Sequence, residues 1–323
     1  MTEPKLNLLI TGSEGVIGTA LRNYLDLYPN LYPAGYSVYC CDLQRIKRKG
    51  YYLADVTQYD CIAKVFKEVK PELVVHLAGE VSRETAEIFP NVAIEKNVVG
   101  TMNVARLCQA VGAKIIYAGT SEVFGWAADL GIGSFDFMEP KGIYGLTKYF
   151  GERIIRYFHL SKNVPYFIIR IFMSYGPGEY PGPYRSFIAQ AIYRALLNKP
   201  ITVHKDTSRA WCFIEDVARA FALGITRLKN SKNLNGQTVN IGTTENIQTL
   251  DLARKIVKMT SSTSKIIVKP CPPGITRHKK GVDIELTRYA LQWSPEVSLN
   301  DGLARTIEWQ KDNLSYFQKI YPL

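Results

Sequence analysis

Residues 8–18, LLITGSEGVIG, restrict the folds open to this chain more than any other stretch. An apolar run from Leu8 to Ile10 ends in Thr11, glycines follow at positions 12, 15 and 18, and a helix-like TALRNYL comes next. The pattern predicts a strand, a tight turn and a helix N-terminus. Gly12 permits the sharp turn, Gly15 lets backbone approach a pyrophosphate, and Gly18 lets the helix pack against the strand. The helix N-terminus then faces the negative charge. The spacing is GxxGxxG rather than GxGxxG, so the segments downstream of it decide its meaning.

A second β-like run, Tyr36 to Cys41, ends in Asp42, thirty positions after Gly12. A carboxylate at the tip of a second strand can accept both ribose hydroxyls of the adenosine half of NAD, and it repels a 2′-phosphate. The basic run Arg45, Lys47, Arg48 and Lys49 could hold that phosphate instead. It reads as a solvated connection, so NAD is the expected cofactor. Asp55 follows a third short run, YYLADV, where the adenine edge would lie.

Short apolar runs alternate with helical patterns through the first half: LNLLITG, YSVYCCD, GYYLADV, LVVHLAG, KIIYAGTS and YFIIRIF. That alternation predicts an α/β fold, a Rossmann-type doubly wound parallel sheet with crossover helices. After Tyr175 the segment GPGEYPGPYR is too rich in Gly and Pro for regular structure. A helix over 186–197, a strand ITVHK, a helix opening near Glu215 and a further sheet strand TVNIG follow, with helical patterns at 249–260 and 301–312. The expected division is a dinucleotide-binding domain over 1–175, with a return segment near 212–242, and a smaller C-terminal lobe within 176–323.

At 323 residues, 46% apolar and 21% charged, the chain can bury a sizeable core. No stretch approaches the roughly 18 to 20 apolar residues of a membrane span, and MTEPKLN has no charged-then-apolar leader, so a cytoplasmic location is expected. Cys40, Cys41, Cys61, Cys108, Cys212 and Cys271 show no CxxC spacing; they read as reduced core residues, and no metal site is expected. The net charge is +11, but the 40 Lys and Arg are scattered among 29 acids without an arginine-rich tract. That argues against a nucleic-acid partner, and a phosphate-bearing substrate accounts for the excess equally well.

Tyr144 and Lys148 lie four apart in a helical pattern, on one face. An ammonium beside a phenol favours phenolate; moving a Tyr from about 10 to near 7 takes roughly 4 kcal/mol of differential stabilisation, which Lys148 with a bound nicotinamide cation nearby would supply. The phenolate would be a general base for a hydroxyl proton. The segment AGTSEVFG at 118–125 follows the strand KIIY and sets Thr120, Ser121 and Glu122 at the carboxyl edge of a parallel sheet, where ligands bind.

With these motifs in order, the chain resembles the extended short-chain dehydrogenase/reductases that act on nucleotide sugars. The matches are TGSEGVIG, Asp42, Asp55–Val56, His76-Leu-Ala-Gly79, Asn97 with GTMN at 100–103, TSEVFG, YGLTK, RIFMSYGPGE and SRAWCFIEDVA. The resemblance implies cofactor contacts at Gly12, Glu14, Gly15, Val16, Ile17 and Gly18, at Asp42, Leu43, Asp55 and Val56, and at Leu77, Ala78 and Gly79. It extends them to Asn97, Ala118, Tyr144, Lys148 and Ile171. It implies a nucleotide-diphosphate sugar as substrate, with Thr120 helping Tyr144 hold the sugar hydroxyl, and Ser121 and Glu122 distinguishing the reactions within the family.

A Thr-Ser-Glu triplet resembles GDP-mannose 4,6-dehydratases and UDP-glucuronate decarboxylases, whereas dTDP-glucose 4,6-dehydratases usually carry Thr-Asp-Glu. A 4,6-dehydratase is the first expectation, with a decarboxylase or 4-epimerase as alternatives. A non-catalytic NAD-sensing regulator on the same fold would not need Thr120, Tyr144 and Lys148. Met173 stands where the family usually has an Asn on the diphosphate, leaving Arg185, Arg209 and Arg277 as candidate phosphate ligands. His204 falls where the family often packs the nucleotide base, although a half-buried strand His is the simpler reading, and the loop from Trp126 to Glu139 could cover the sugar. Segments 95–111 and 144–160 carry surplus apolar residues, notably Tyr149, Phe150, Ile154, Tyr157 and Phe158, which predicts a homodimer.

Overall fold

The computed structural model describes residues 5–29, 36–125, 138–230, 234–271 and 282–323. The chain opens with β1 (Leu6–Thr11), α1 (Val16–Leu27), β2 (Tyr36–Asp42), β3 (Tyr51–Leu53), α2 (Tyr59–Val69) and β4 (Leu73–His76). Short helices α3 (Arg83–Ile88) and α4 (Pro90–Ile94) lead through a π-helical turn, Glu95–Val99, into α5 (Gly100–Val111). Then come β5 (Lys114–Thr120), α6 (Ile143–Lys162), β6 (Tyr166–Ile171), β7 (Ser174–Tyr175), α7 (Phe187–Leu196), β8 (Ile201–His204), β9 (Ser208–Ala210) and β10 (Cys212–Phe213). The remainder is α8 (Ile214–Asn230), β11 (Gln237–Ile241), β12 (Asn246–Gln248), α9 (Thr249–Met259), β13 (Ile266–Lys269), α10 (Glu285–Leu291), α11 (Leu299–Asp312) and α12 (Leu314–Ile320).

Among the described residues one sheet has seven strands in the order β11-β6-β5-β4-β1-β2-β3, every pair parallel. All seven runs read as sheet strands from the sequence lie in it. The chain winds outward from β1 through β2 to β3, then crosses back to β4 and winds the other way. The order therefore reverses between β1 and β4, and the crevice above their carboxyl ends is where such sheets bind ligands. Both faces are covered. Leu8 and Ile10 join one core with Leu21 of α1 and Phe221 of α8, while Leu9 joins the other with Val65 of α2, Leu107 of α5 and Ile155 of α6. This is the two-residue alternation of a strand buried on both sides. The first core continues without a break into the C-terminal region through Ile192, Leu252 and Leu303.

Two buried polar groups tie the sheet to its helices. His76, at the end of β4, is sealed between Thr11 (Nδ1 to Oγ1, 2.7 Å) and Thr101 of α5 (Nε2 to Oγ1, 3.2 Å). Burial, with the nearby Lys148 charge, pushes its pKa down to about 3 and keeps the imidazole neutral. Glu152 of α6 grips Arg170 of β6 through Nη2 to Oε2 at 2.6 Å and Nε to Oε1 at 3.0 Å, with both side chains almost fully buried. Removing one partner of such a pair strands the other charge. Glu152→Ala is therefore expected to cost about 3–5 kcal/mol in urea unfolding, and a loss under about 1 kcal/mol would contradict the assignment.

Candidate active site

A cavity of about 1300 Å³ runs along the carboxyl edge of the sheet, from the glycine turn past β5 to α7 and β8. Single-ligand pockets are typically roughly 300–1,000 Å³, so this one has room for two ligands placed end to end. Its wall begins at Gly12, where φ is +70° and a Cβ would lie 2.5 Å from the Ala78 nitrogen; only glycine fits. At Gly18 a Cβ would come within 2.4 Å of the Gly12 carbonyl oxygen, which explains the close packing of α1 on the turn. Gly15 differs. A Cβ there meets only the Gly12 oxygen, at 3.4 Å, so the protein itself does not demand glycine, and the space it leaves belongs to the cavity. No side chain caps α1, and its first turn has no acid, so the first amides are left for an anion.

Asp42, at the tip of β2, accepts from Glu14 N through Oδ2 (2.9 Å) and from Leu43 N through Oδ1 (2.7 Å), which fixes the carboxylate at the cavity edge. Asp55 and Val56 line the same end, held by Asn103 of α5, whose Nδ2 donates to the Val56 carbonyl at 3.0 Å. The GTMN motif thus acts from behind the site: Thr101 holds His76 and Asn103 holds the Val56 turn.

The catalytic wall is built by β5 and α6. Thr120 ends β5, and its Oγ1 accepts from Glu122 N at 3.2 Å, starting the turn Ser121–Phe124 that points Ser121 and Glu122 along the cavity. Tyr144, in the first turn of α6, lines the cavity with Thr120. The lowering of Tyr144 expected from Lys148 and a bound nicotinamide cation together is not produced by the protein's own groups. Burial pushes its pKa up to about 12, the Thr120 hydroxyl opposes this, and Glu122 and Glu80 add to the rise. Lys148 is buried, with Nζ 4.3 Å from the centre of the Tyr117 ring; burial lowers its pKa to about 8 against the pull of Glu152, so it is still charged at neutral pH.

Of the residues expected at the cofactor, Gly12, Glu14, Gly15, Val16, Ile17, Gly18, Asp42, Leu43, Asp55, Val56, Leu77, Ala78, Gly79, Tyr144 and Ile171 line the cavity. Lys148, Ala118 and Asn97 do not. Asn97 accepts from Glu80 N through Oδ1 (2.9 Å) and donates through Nδ2 to Thr147 Oγ1 (3.0 Å), tying the loop after β4 to α6 instead. Thr120, Ser121, Glu122, Met173, Arg185, His204 and Arg209 line the substrate half. Arg277 and most of the loop from Trp126 to Glu139 fall outside the described residues. Arg45, Lys47, Arg48 and Lys49 are exposed, as a solvated connection would be, but Arg48 also pairs with Glu14 at 2.7 Å.

Sequence reasoning missed Arg83, whose Nη1 lies 3.5 Å from Glu122 Oε2, and Gln190 and Arg194, four apart on the cavity side of α7. The α7 pair carried a usable signal, two polar residues at helical spacing in an otherwise apolar helix. Arg83 carried none.

Residues 8–242 match the NAD dependent epimerase/dehydratase family. The chain belongs to this family. A dTDP-glucose 4,6-dehydratase of Neisseria gonorrhoeae is 26% identical, the alignment covering 97% of each chain. A UDP-glucuronate 4-epimerase of Thermodesulfobacterium geofontis is 24% identical over 86% of this chain and 84% of its own. The fold matches that of a UDP-glucose 4-epimerase from Thermotoga maritima with a TM-score of 0.84 at 23% identity, covering 96% of this chain and all of that one. As a member of the NAD dependent epimerase/dehydratase family this chain is an enzyme and its cofactor is NAD, which suits the Gly15 cradle, the uncapped α1 and the carboxylate at the tip of β2. No helix among the described residues is long and apolar enough to cross a membrane. Nor does any described cluster of His, Cys, Asp and Glu have the make-up of a metal site.

Proposed function

We propose that the chain is a nucleotide-sugar 4,6-dehydratase that works through a 4-keto intermediate. The observation that carries this reading is the convergence of Thr120, Tyr144 and Glu122 on one wall of the cavity, with Arg83 beside Glu122. Gly12, Gly15, the first turn of α1 and Asp42 would hold NAD, which would take hydride from C4 and later return it at C6. Tyr144 takes the proton of the C4 hydroxyl, with Thr120 holding the oxygen in place. The ketone at C4 acidifies the C5 proton. Glu122 removes that proton and the C6 hydroxyl departs with it as water; a proton is returned to C5 as hydride returns to C6, and Arg83 lies beside the Glu122 carboxylate at 3.5 Å.

At the diphosphate, Met173 offers only a weak thioether acceptor in place of an amide. Arg185, Arg194 and Arg209 surround the same half of the cavity and supply cationic donors suited to phosphate oxygens. One observation favours a second reading. Arg83 is about half exposed and its contact with Glu122 is long, so it could instead bind a carboxylate at C6 of the sugar, as a uronate decarboxylase or 4-epimerase would require. Incubation with UDP-, GDP-, CDP- and dTDP-sugars, with mass analysis of the products, separates the two. Loss of one water supports the dehydratase, loss of carbon dioxide the decarboxylase, and unchanged mass with a new sugar spectrum the epimerase.

Asp42→Ala is expected to weaken NAD binding about ten- to a hundredfold, the loss of a charged hydrogen-bond acceptor worth roughly 1.5–3 kcal/mol. Unchanged affinity by calorimetry would remove Asp42 from the ribose site.

The working unit is proposed to be a cytoplasmic homodimer. Tyr149, Ile154 and Phe158 prove to pack into the two cores and are not surplus. Leu146, Phe150, Tyr157 and Leu160 remain exposed as one stripe along α6, beside α5. Light scattering at micromolar concentration is expected to give twice the 36.4 kDa chain mass. A monomer mass would contradict the pairing.

A further inference from the structure

We propose that Glu14 is a cofactor-selecting residue: it keeps Arg22 and Arg48 occupied at the adenosine end of the cavity and so denies them to a 2′-phosphate. The inference rests on the reading of that end as the ribose site of the dinucleotide. Glu14 lies in the glycine turn, its side chain only 8% exposed, yet it carries two ion pairs. Arg22 of α1 reaches Oε2 at 2.9 Å and also donates from Nε to the Ser13 carbonyl at 3.0 Å. Arg48 arrives from the connection between β2 and β3, reaches Oε1 at 2.7 Å and lies 5.1 Å from the centre of the Tyr51 ring. Burial would raise the Glu14 carboxyl, but hydrogen bonds from Arg48 and Ser13 and the charge of Arg22 hold it below the usual range. The Glu14 amide donates to Asp42, so this cluster and the ribose-facing carboxylate form one unit.

The charges of that unit cancel: Asp42 and Glu14 against Arg22 and Arg48. A neutral ribose 2′-hydroxyl suits such a corner. A 2′-phosphate brings about −1.5 to −2 charge. It would meet two carboxylates, while the two guanidiniums able to grip it bidentately are already engaged. The chain therefore already holds the donors of a 2′-phosphate site, and Glu14 neutralises them. Glu14→Gln keeps the size and one acceptor oxygen but leaves a net positive corner with both arginines loosened.

The test is titration of the purified full-length protein with NADH and NADPH, monitored by nicotinamide fluorescence, for wild type, Glu14→Gln, Arg48→Ala and the double variant. Wild type is expected to prefer NADH. Glu14→Gln is expected to shift the affinity ratio toward NADPH by about tenfold or more, and adding Arg48→Ala to cancel most of that shift. An unshifted ratio in folded Glu14→Gln, or a shift that survives loss of Arg48, overturns the proposal. Should Glu14→Gln not fold, Glu14→Ser takes its place: it also removes the carboxylate and frees both guanidiniums, the same shift of the ratio toward NADPH is expected, and an unshifted ratio in the folded variant overturns the proposal. Failure of wild type to bind either dinucleotide overturns the functional reading as well; NADH binding with an unmoved ratio overturns this inference alone.

Discussion

Replacing Tyr144 with Phe is expected to lower turnover by about 10²–10⁴-fold, the range general-base removal typically carries. The reason is positional. Tyr144 is the phenol in the first turn of α6 that lines the cavity, and Thr120 lines the same wall. Lys148 is buried away from the cavity surface, so it cannot replace the lost oxygen at the sugar. Glu122 is on the same wall, but its role is one carbon further along, at C5. The variant should fold normally because the ring itself is retained, and a thermal midpoint close to wild type is the control. Since burial holds the Tyr144 phenol near 12, it is protonated at neutral pH before the site is loaded. The wild-type rate on its sugar should therefore rise with pH through the neutral range, and that rise should vanish from the residual rate of Tyr144→Phe. Full activity in Tyr144→Phe would overturn the mechanism from its first step.

The parts of this molecule that are legible in the sequence are those where local chemistry alone decides. Most sheet strands are short apolar runs closed by a polar residue or glycine, and the reversal of winding after β3 agrees with the alternation. Gly12 and Gly18 can be read because crowding at the turn leaves no alternative, and Gly15 because a bound anion needs the room. The illegible parts depend on burial and on long-range approach. The π-helical turn at Glu95–Val99 interrupts a helical pattern with no residue that marks the break. The pairings of β9 with β12 and of β8 with β13 involve segments too short to show a period. Arg83 is an ordinary charge in a six-residue helix; it reaches Glu122 only because Ser82 caps α3 and sets where that helix begins. Arg48 reads as solvated within a basic run, and its partner lies 34 residues earlier in the chain. Tyr144 and Lys148 are recognisable by spacing, yet their titration depends on burial, which spacing does not encode.

Glu122→Gln provides the sharpest division among the possible reactions. The amide keeps the size of the side chain and much of its hydrogen bonding with Arg83, but it cannot accept the C5 proton. Oxidation at C4 depends on Tyr144 and Thr120, so it should continue, and elimination should stop. The expected result is a 4-keto sugar that keeps the mass of the lost water, with net turnover to dehydrated product reduced by about 10²–10⁴-fold. Incubation in heavy water supplies the decisive measurement: wild type should exchange the C5 hydrogen with solvent and Glu122→Gln should not. Arg83→Gln is the companion variant. If Arg83 positions Glu122, its loss lowers kcat for dehydration with a small change in KM. If Arg83 binds a substrate carboxylate instead, its loss raises KM for uronate sugars and leaves kcat close to wild type. Normal dehydration by Glu122→Gln would eliminate Glu122 as the C5 base. The remaining readings would then be decarboxylation, in which a β-keto acid loses carbon dioxide without a base, and 4-epimerisation, in which C5 is never deprotonated.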